Sequence, residues 1–294
     1  MPGPEPGQPE TEALTSVDDV NADFAAELAE LTPTKRARVM RKLVAAALGS
    51  IPWIGGFFAA MVAFREESGQ LKVNELQREW LEEHKARMER LGAELAALTA
   101  RLESFGEDIL ERLESEEYLG IIRKGFRVWD QADTDQKRSY VAKLLANAGA
   151  TKLVDDDLVR LFLEWLERYH EAHFKVIREI YKRPGITRQG IWKTIHGRFP
   201  REDSSEADLF RLLIGELSMG RIIRQNREKT YGGEFVKKTP TRTPRGLGST
   251  TMKSAFDDEE AYELTELGKK FVHYVFSEVV QRIGGEEAQD ADAE

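Results

Sequence analysis

Residues 43–64 read LVAAALGSIPWIGGFFAAMVAF, twenty-two consecutive positions without a charge. An uncharged run longer than about 18 residues is a membrane-span candidate. As one helix it would reach roughly 33 Å at about 1.5 Å per residue. Pro52 argues against one helix, because it removes a backbone N–H and disfavours helix at Ser50 and Ile51, and Gly55-Gly56 loosen the chain just after it. The run then predicts two short helices, about 43–51 and 53–64, folded as an apolar Gly/Pro hairpin within 35–68. Small residues recur at helical spacing, with Gly55, Ala59 and Ala63 on one line and Gly56 and Ala60 one step round. Such lines let helices approach closely in lipid and in Ala-rich soluble cores alike. The candidate hairpin residues are Pro52, Trp53, Gly55, Gly56, Ala59, Ala60 and Ala63. They either insert in or re-enter a membrane, or lie in a soluble core. Five basic residues between Lys35 and Lys42 precede the run, which would keep that side cytoplasmic.

Charge is unevenly distributed. Residues 1–34 carry eight acids and no base, and residues 286–294 carry five acids and no base. With a total of −9, those ends leave +4 on residues 35–285. A mildly basic body is compatible with anionic partners, which a uniformly acidic chain would avoid. The Pro-rich start, 1–12, cannot order itself and lacks the basic, apolar pattern of a signal peptide. Val17, Val20, Phe24, Leu28 and Leu31 predict one short amphipathic helix in the otherwise disordered 1–34. The acidic tail is 277–294. Cysteine is absent, which excludes a disulfide framework, a thiolate metal site and a Cys nucleophile.

Region 69–170 reads as a coiled-coil or helical bundle. From Leu81 a seam with alternating spacings of 3 and 4 runs through His84, Met88, Leu91, Leu95, Leu98, Leu102, Phe105 and Ile109. A seam sustained over four heptads predicts a long helix whose partner is either another chain or this one. Leu91, Leu95, Leu98, Leu102, Phe105 and Ile109 are the candidate assembly residues. Three amphipathic helices follow. One holds Tyr118, Ile122, Phe126 and Trp129. The second is capped by Asp133 or Thr134 and holds Tyr140, Val141, Leu144 and Leu145. The third opens at Asp155–Asp157 and holds Leu158, Leu161, Phe162, Trp165 and Tyr169.

Region 171–276 changes character: helix, helix, helix, strand, long basic loop, strand, helix. That is the winged helix-turn-helix order, and SMGRIIRQ and YELTELGKKF resemble its pattern. The loop 221–253 carries nine bases against Glu228 and Glu234. Arg224, Arg227, Lys237, Lys238, Arg242 and Arg245 are the candidate nucleic-acid or anion contacts. The third helix, however, starts with Glu202, Asp203, Glu206 and Asp208, which would repel phosphate where a helix-turn-helix reader meets DNA. A protein-contact winged helix is the competing reading. His170 and His173 stand at i, i+3, with no third metal ligand in view. No phosphate loop, dinucleotide fingerprint or zincin motif is present, and the chain reads as a non-enzyme without cofactor or metal.

The fold class expected is mainly α: apolar helical hairpin, long heptad helix and helical bundle, followed by a winged helix-turn-helix domain with a small β wing. Within it the segment RSYVAKLLANAGA (138–150) precedes an aromatic helix and then LTELGKKF (264–271). In this order the chain resembles the bacterial Abi-alpha (abortive-infection-like) family. Leu144-Leu145-Ala146 match its LLA-type core motif, and Leu264, Thr265, Gly268 and Phe271 its closing LT-x-x-G-x-x-F element. The resemblance covers roughly 40–276 and implies phage-defence or self-intoxication biology. The leading expectation is a non-enzymatic, membrane-active effector. It would be cytoplasmic at the inner face of the cell membrane, partnered by lipid, by itself through the coiled coil, and by a protein on the winged helix. The alternative is a DNA-binding winged-helix regulator whose apolar hairpin is a core or oligomerisation element.

Overall fold

The computed structural model describes residues 35–67, 75–227, 230–232, 234–236 and 254–276. The short N-terminal helix, the acidic tail and Lys237, Lys238, Arg242 and Arg245 lie outside the described residues, and of Ala63 only the helical backbone is described. Among the described residues there are eleven helices and one three-stranded antiparallel sheet. The chain divides into two compact units, Met1–Arg160 and Leu161–Glu294.

The first unit is helical. Helices α1 (Lys35–Leu48) and α2 (Pro52–Glu67) carry the apolar run, followed by α3 (Glu75–Glu103), α4 (Leu110–Glu114), α5 (Glu116–Gln131), α6 (Asp135–Ala150) and the start of α7 (Asp156–Arg168). Ser115 caps α5 by accepting the Tyr118 N–H, and Thr134, one of the two residues expected to cap α6, accepts the Lys137 N–H. Tyr118, Ile121, Ile122, Phe126 and Trp129 of α5 are buried, as are Tyr140, Val141, Leu144, Leu145, Ala146 and Ala148 of α6. The two helices run antiparallel and cross closely. A Cβ on Gly125 would lie 2.5 Å from Leu145 Cδ2, and one on Gly149 would lie 2.5 Å from Tyr118 Oη and 2.8 Å from Leu102 Cδ2.

The apolar run forms a corner instead of the expected hairpin. The first helix begins eight residues before Leu43, taking the basic segment 35–42 into α1. The bend to α2 is 94°. Two local causes act together. The Ser50 hydroxyl donates to the Ala47 carbonyl at 2.7 Å and closes the end of α1. Pro52 then supplies the first position of α2, where its missing N–H has no helical partner to lose. Leu43, Val44, Ala47, Leu48, Ile51, Ile54 and Phe57 are all buried. Among the described residues no single helix is long and apolar enough to cross a membrane; the bent pair meets that test by length and composition only when its two arms are joined.

The heptad pattern also ends differently. Helix α3 stops at Glu103, and Gly106 turns the chain with φ +86°. Phe105 and Ile109 therefore lie beyond the long helix, with Ile109 at the start of α4. Leu91, Leu95, Leu98 and Leu102 are at most 4% exposed, on a helix that packs against α6 and α1 of the same chain.

The second unit contains the rest of α7, then α8 (Glu171–Lys182), β1 (Ile186–Thr187), α9 (Arg188–His196), α10 (Ser205–Met219), β2 (Ile223–Gln225), β3 (Ala261–Leu264) and α11 (Glu266–Phe276). The sheet order is β1-β3-β2, with Ile186 opposite Tyr262 and Ile223 opposite Leu264. The two-residue strand β1 was not foreseen from sequence, being too short for an alternating pattern. Phe162, Trp165, Phe174, Phe271 and Tyr274 form the aromatic core. The segment LTELGKKF has a physical reason at each marked position. Leu264 is buried in β3, and the Thr265 hydroxyl accepts the Gly268 N–H at 2.9 Å. Gly268 sits against the Ile222 carbonyl with no room for a Cβ, and Phe271 is buried in the core.

Candidate anion-binding cleft

The second unit carries an open cleft of about 530 Å³ between α10, β2, β3 and the start of α9. Five arginines line it: Arg188, Arg211, Arg221, Arg224 and Arg227. Arg188 opens α9 beside the Thr187 cap, which accepts the Gly190 N–H. Its Nε donates to the Tyr262 hydroxyl at 2.9 Å, and its guanidinium lies 5.5 Å from the centre of that ring. Arg221 ends the turn after α10 with φ +59°, an uncommon left-handed conformation for a non-glycine residue. Its carbonyl accepts the Thr265 hydroxyl at 2.5 Å, which ties this turn to the start of α11. Arg224 on β2 donates from Nε to Glu263 Oε1 at 2.6 Å and lies over Phe235 at 5.0 Å.

The charges differ in how far they are neutralised. Arg211 is ion-paired with Glu202 and Asp208, and Arg224 with Glu263. Among the described residues Arg188, Arg221 and Arg227 have no carboxylate within 4 Å. Three uncompensated guanidiniums around one concave surface attract an anion, and their planar forks match phosphate oxygens.

The acidic start of α10 is tied up locally. Glu202 accepts from Arg211 Nη2 at 2.5 Å and from the Ala255 N–H at 2.9 Å. Partial burial works against its charge, but these donors and the Ser254 hydroxyl hold its carboxyl below the usual range. Asp203 is gripped by Arg201 at 2.8 and 2.9 Å, and that hydrogen bonding lowers its pKa. Asp208 pairs with Arg211 at 2.9 Å. Counting carboxylates along the sequence therefore overstated the repulsion, because Arg201 and Arg211 stand beside three of them.

Of the expected contacts, Arg224 and Arg227 line the cleft. Arg188 and Arg211 were missed because they lie on helices outside the basic loop. Arg221 was visible in the loop's charge count but not singled out. His170 and His173 do not form a metal face. The His173 Nδ1 accepts the His170 N–H at 3.1 Å, and its Nε2–H donates to Glu216 Oε2 at 2.8 Å. Burial holds this imidazole below its ordinary pKa, favouring the neutral form. No group of three metal-binding side chains occurs among the described residues.

In the first unit, Trp53 is half-buried and donates from Nε1 to Asp130 Oδ1 at 2.9 Å. Arg87 donates to the same oxygen at 2.8 Å and lies 4.7 Å from the Trp53 ring centre. Pro52, Gly56 and Ala59 are exposed, while Gly55 and Ala60 are half-buried. A Cβ on Gly56 meets nothing within 4 Å, so this glycine marks no close helix crossing within the chain. Met61 and Val62, further along α2, are 42% and 46% exposed.

Fold and cleft together define a mainly helical protein with a small antiparallel sheet and a concave arginine-rich surface. No protein-family model, curated protein or solved structure matches this chain.

Proposed function

We propose that Leu161–Glu294 is a winged-helix module that binds the phosphate backbone of nucleic acid, without catalysis and with little sequence discrimination. One observation carries this reading: Arg188, Arg221 and Arg227 converge on one cleft without carboxylate partners among the described residues. The element order α8-β1-α9-α10-β2-β3-α11 and the strand order β1-β3-β2 support the winged-helix assignment. Weak discrimination follows from the outward positions of α10. Leu209, Leu212 and Met219 there offer no donors or acceptors to base edges.

Salt dependence tests the proposal. Three phosphates neutralised by these arginines correspond to a log–log slope of about −2.7 on duplex DNA, at about −0.9 per contact. Fluorescence anisotropy with a random-sequence duplex should show that slope or a steeper one. Arg221→Ala and Arg227→Ala should each reduce it by about 0.9 and weaken all sequences alike. Binding that does not change with salt, or no binding, overturns the reading.

A second reading has its own observation. Met61 and Val62 of α2 and Trp80 of α3 are exposed, and α1 exposes Lys35, Arg38, Arg41 and Lys42. An apolar helix end beside a basic helix suits the headgroup region of an anionic bilayer. In this reading the protein is a membrane-active effector at the inner face of the cell membrane, in keeping with the phage-defence biology that the Abi-alpha resemblance implies. α2 lies on the lipid while the buried side of α1 stays in the protein core.

A further inference from the structure

The anion cleft carries an exposed aromatic ring among its arginines. Phe235 lines it, and this residue is 45% exposed. A fixed support stands behind the ring. Arg224 on β2 is the cross-strand partner of Glu263 on β3, and its Nε donates to Glu263 Oε1 at 2.6 Å. The guanidinium so held lies 5.0 Å from the centre of the Phe235 ring, a cation–π contact that keeps the ring at the cleft wall. The backbone just before Phe235 is fastened as well. The Thr230 N–H donates to the Glu234 carbonyl at 2.8 Å, and the Glu234 N–H donates to the Thr230 hydroxyl at 3.1 Å. Tyr231, within that turn, is wholly exposed.

Phosphate binding alone does not require an exposed ring, because a guanidinium fork needs only oxygens. An exposed ring beside phosphate-binding cations is the combination that holds an unpaired nucleotide, with its base on the ring and its phosphate on the cation. We propose that the cleft takes single-stranded nucleic acid, one base stacked on Phe235 while Arg188, Arg221 and Arg227 hold phosphates of neighbouring nucleotides. This rests on the phosphate-binding reading above and adds to it the state of the strand. The size of the cleft agrees. A volume of about 530 Å³ is on the scale of a small-molecule site, suited to an extended strand and closed to a rigid duplex. A duplex keeps its base faces stacked inside, so it would offer the cleft only phosphates and leave Phe235 in water. Every base has a π face, so the stack tolerates any sequence. The Gln225 amide, which could read a base edge in the cleft, is engaged by Glu260.

Fluorescence anisotropy on the full chain compares three labelled probes: a short oligothymidylate, an abasic strand of the same length, and a duplex of the same length. Oligothymidylate should bind about five- to hundredfold more tightly than the abasic strand, the worth of one base–aromatic stack, and more tightly than the duplex. Phe235 lies outside the core, so its variants keep the fold. Phe235→Ala should remove the advantage of oligothymidylate and leave the affinity for the abasic strand unchanged. Phe235→Trp should keep the advantage, and Phe235→Leu, apolar but without a π face, should lose most of it. The salt slope separates stacking from phosphate binding. Three contacts on a single strand give about −2.1, at about −0.7 each, and Phe235→Ala should leave that slope as it is in wild type. Equal affinity for oligothymidylate and the abasic strand, with the slope intact, overturns the stacking inference and leaves phosphate binding standing. So does a duplex bound more tightly than oligothymidylate, or a Phe235→Ala protein that loses both single strands equally. Absence of salt-dependent binding to every probe overturns both readings.

Discussion

Gly149→Ala and Gly120→Ala make the same chemical change in neighbouring helices and should move stability in opposite directions. On helix propensity alone, each should gain up to about 1 kcal/mol. At Gly120 a new Cβ meets nothing within 4 Å, so that gain should survive. At Gly149 the Cβ would lie 2.5 Å from Tyr118 Oη, 2.8 Å from Tyr118 Cζ and 2.8 Å from Leu102 Cδ2. Ordinary contact needs about 1 Å more, and the Tyr118 ring is fully buried with its hydroxyl donating to the Leu145 carbonyl at 3.0 Å. Overpacking of this kind costs about 1–3 kcal/mol, and a displaced hydroxyl forfeits roughly another 1 kcal/mol. The net expectation is a loss of about 1–3 kcal/mol at Gly149. For a unit of this size that lowers Tm by roughly 2–10 °C. Calorimetry and urea unfolding, followed on the transition of the first unit, measure both variants. A Gly149→Ala protein as stable as wild type, or a shift of both variants in one direction, would refute the close crossing of α3, α5 and α6.

Two further outcomes are expected. The paired hydrogen bonds from Arg112, at 2.5 and 2.9 Å, hold Asp156 below the usual carboxylate range. Its contribution to stability is therefore complete above the unfolded pKa near 4 and lost as pH falls through the lower folded value. Asp156→Asn should flatten the acid limb of the stability curve below about pH 4, and Arg112→Met should cost about 1–3 kcal/mol at neutral pH. For the membrane reading, flotation with anionic vesicles should carry the wild-type protein upward, and Met61→Glu with Val62→Glu should keep it in the dense fraction. Equal behaviour of both proteins removes that reading.

Much of the first unit was legible in the sequence because its signals are local. The stripe from Tyr118 to Trp129 and the pairing of Thr134 with the following turn fix α5 and α6 without knowledge of what they touch. The heptad leucines are a different case. Leu91 to Leu102 would look the same against a second chain as against α6, so periodicity identifies an apolar seam but not its occupant. The corner at Pro52 was legible as a break but not as an angle, since 94° depends on how α1 and α2 each dock. The cleft was half visible. Arg224 and Arg227 belong to a charge-rich loop, whereas Arg188 reaches the cleft through the pairing of β1 with β3, held by Tyr262 at a separation of 74 residues. The acidic α10 start is relieved mostly by near neighbours, Arg201 beside Asp203 and Arg211 beside Glu202 and Asp208, which lie close by in the sequence. The Ala255 N–H on Glu202, at a separation of 53 residues, is the contact that no local count registers.

The neck of the β2–β3 excursion has a consequence for how this surface can change. Asn226 donates its N–H to the Ala261 carbonyl at 2.8 Å, and Gln225 pairs with Tyr262. The chain thus leaves and returns at adjacent points, and the 34 residues between them close a loop whose ends are already fastened. Loop-closure entropy grows only logarithmically, so doubling such a segment costs about 0.6 kcal/mol. Insertions, deletions and changes of charge there burden folding very little as long as they spare Ala255 and Phe256, which are buried against the domain, while Arg188 and Arg221 stay anchored by Tyr262 and Thr265. The architecture separates a part that holds a fixed cationic seat from a part that is free to drift. A lineage carrying it could retune strength and preference through loop length and composition alone, without rebuilding the domain beneath.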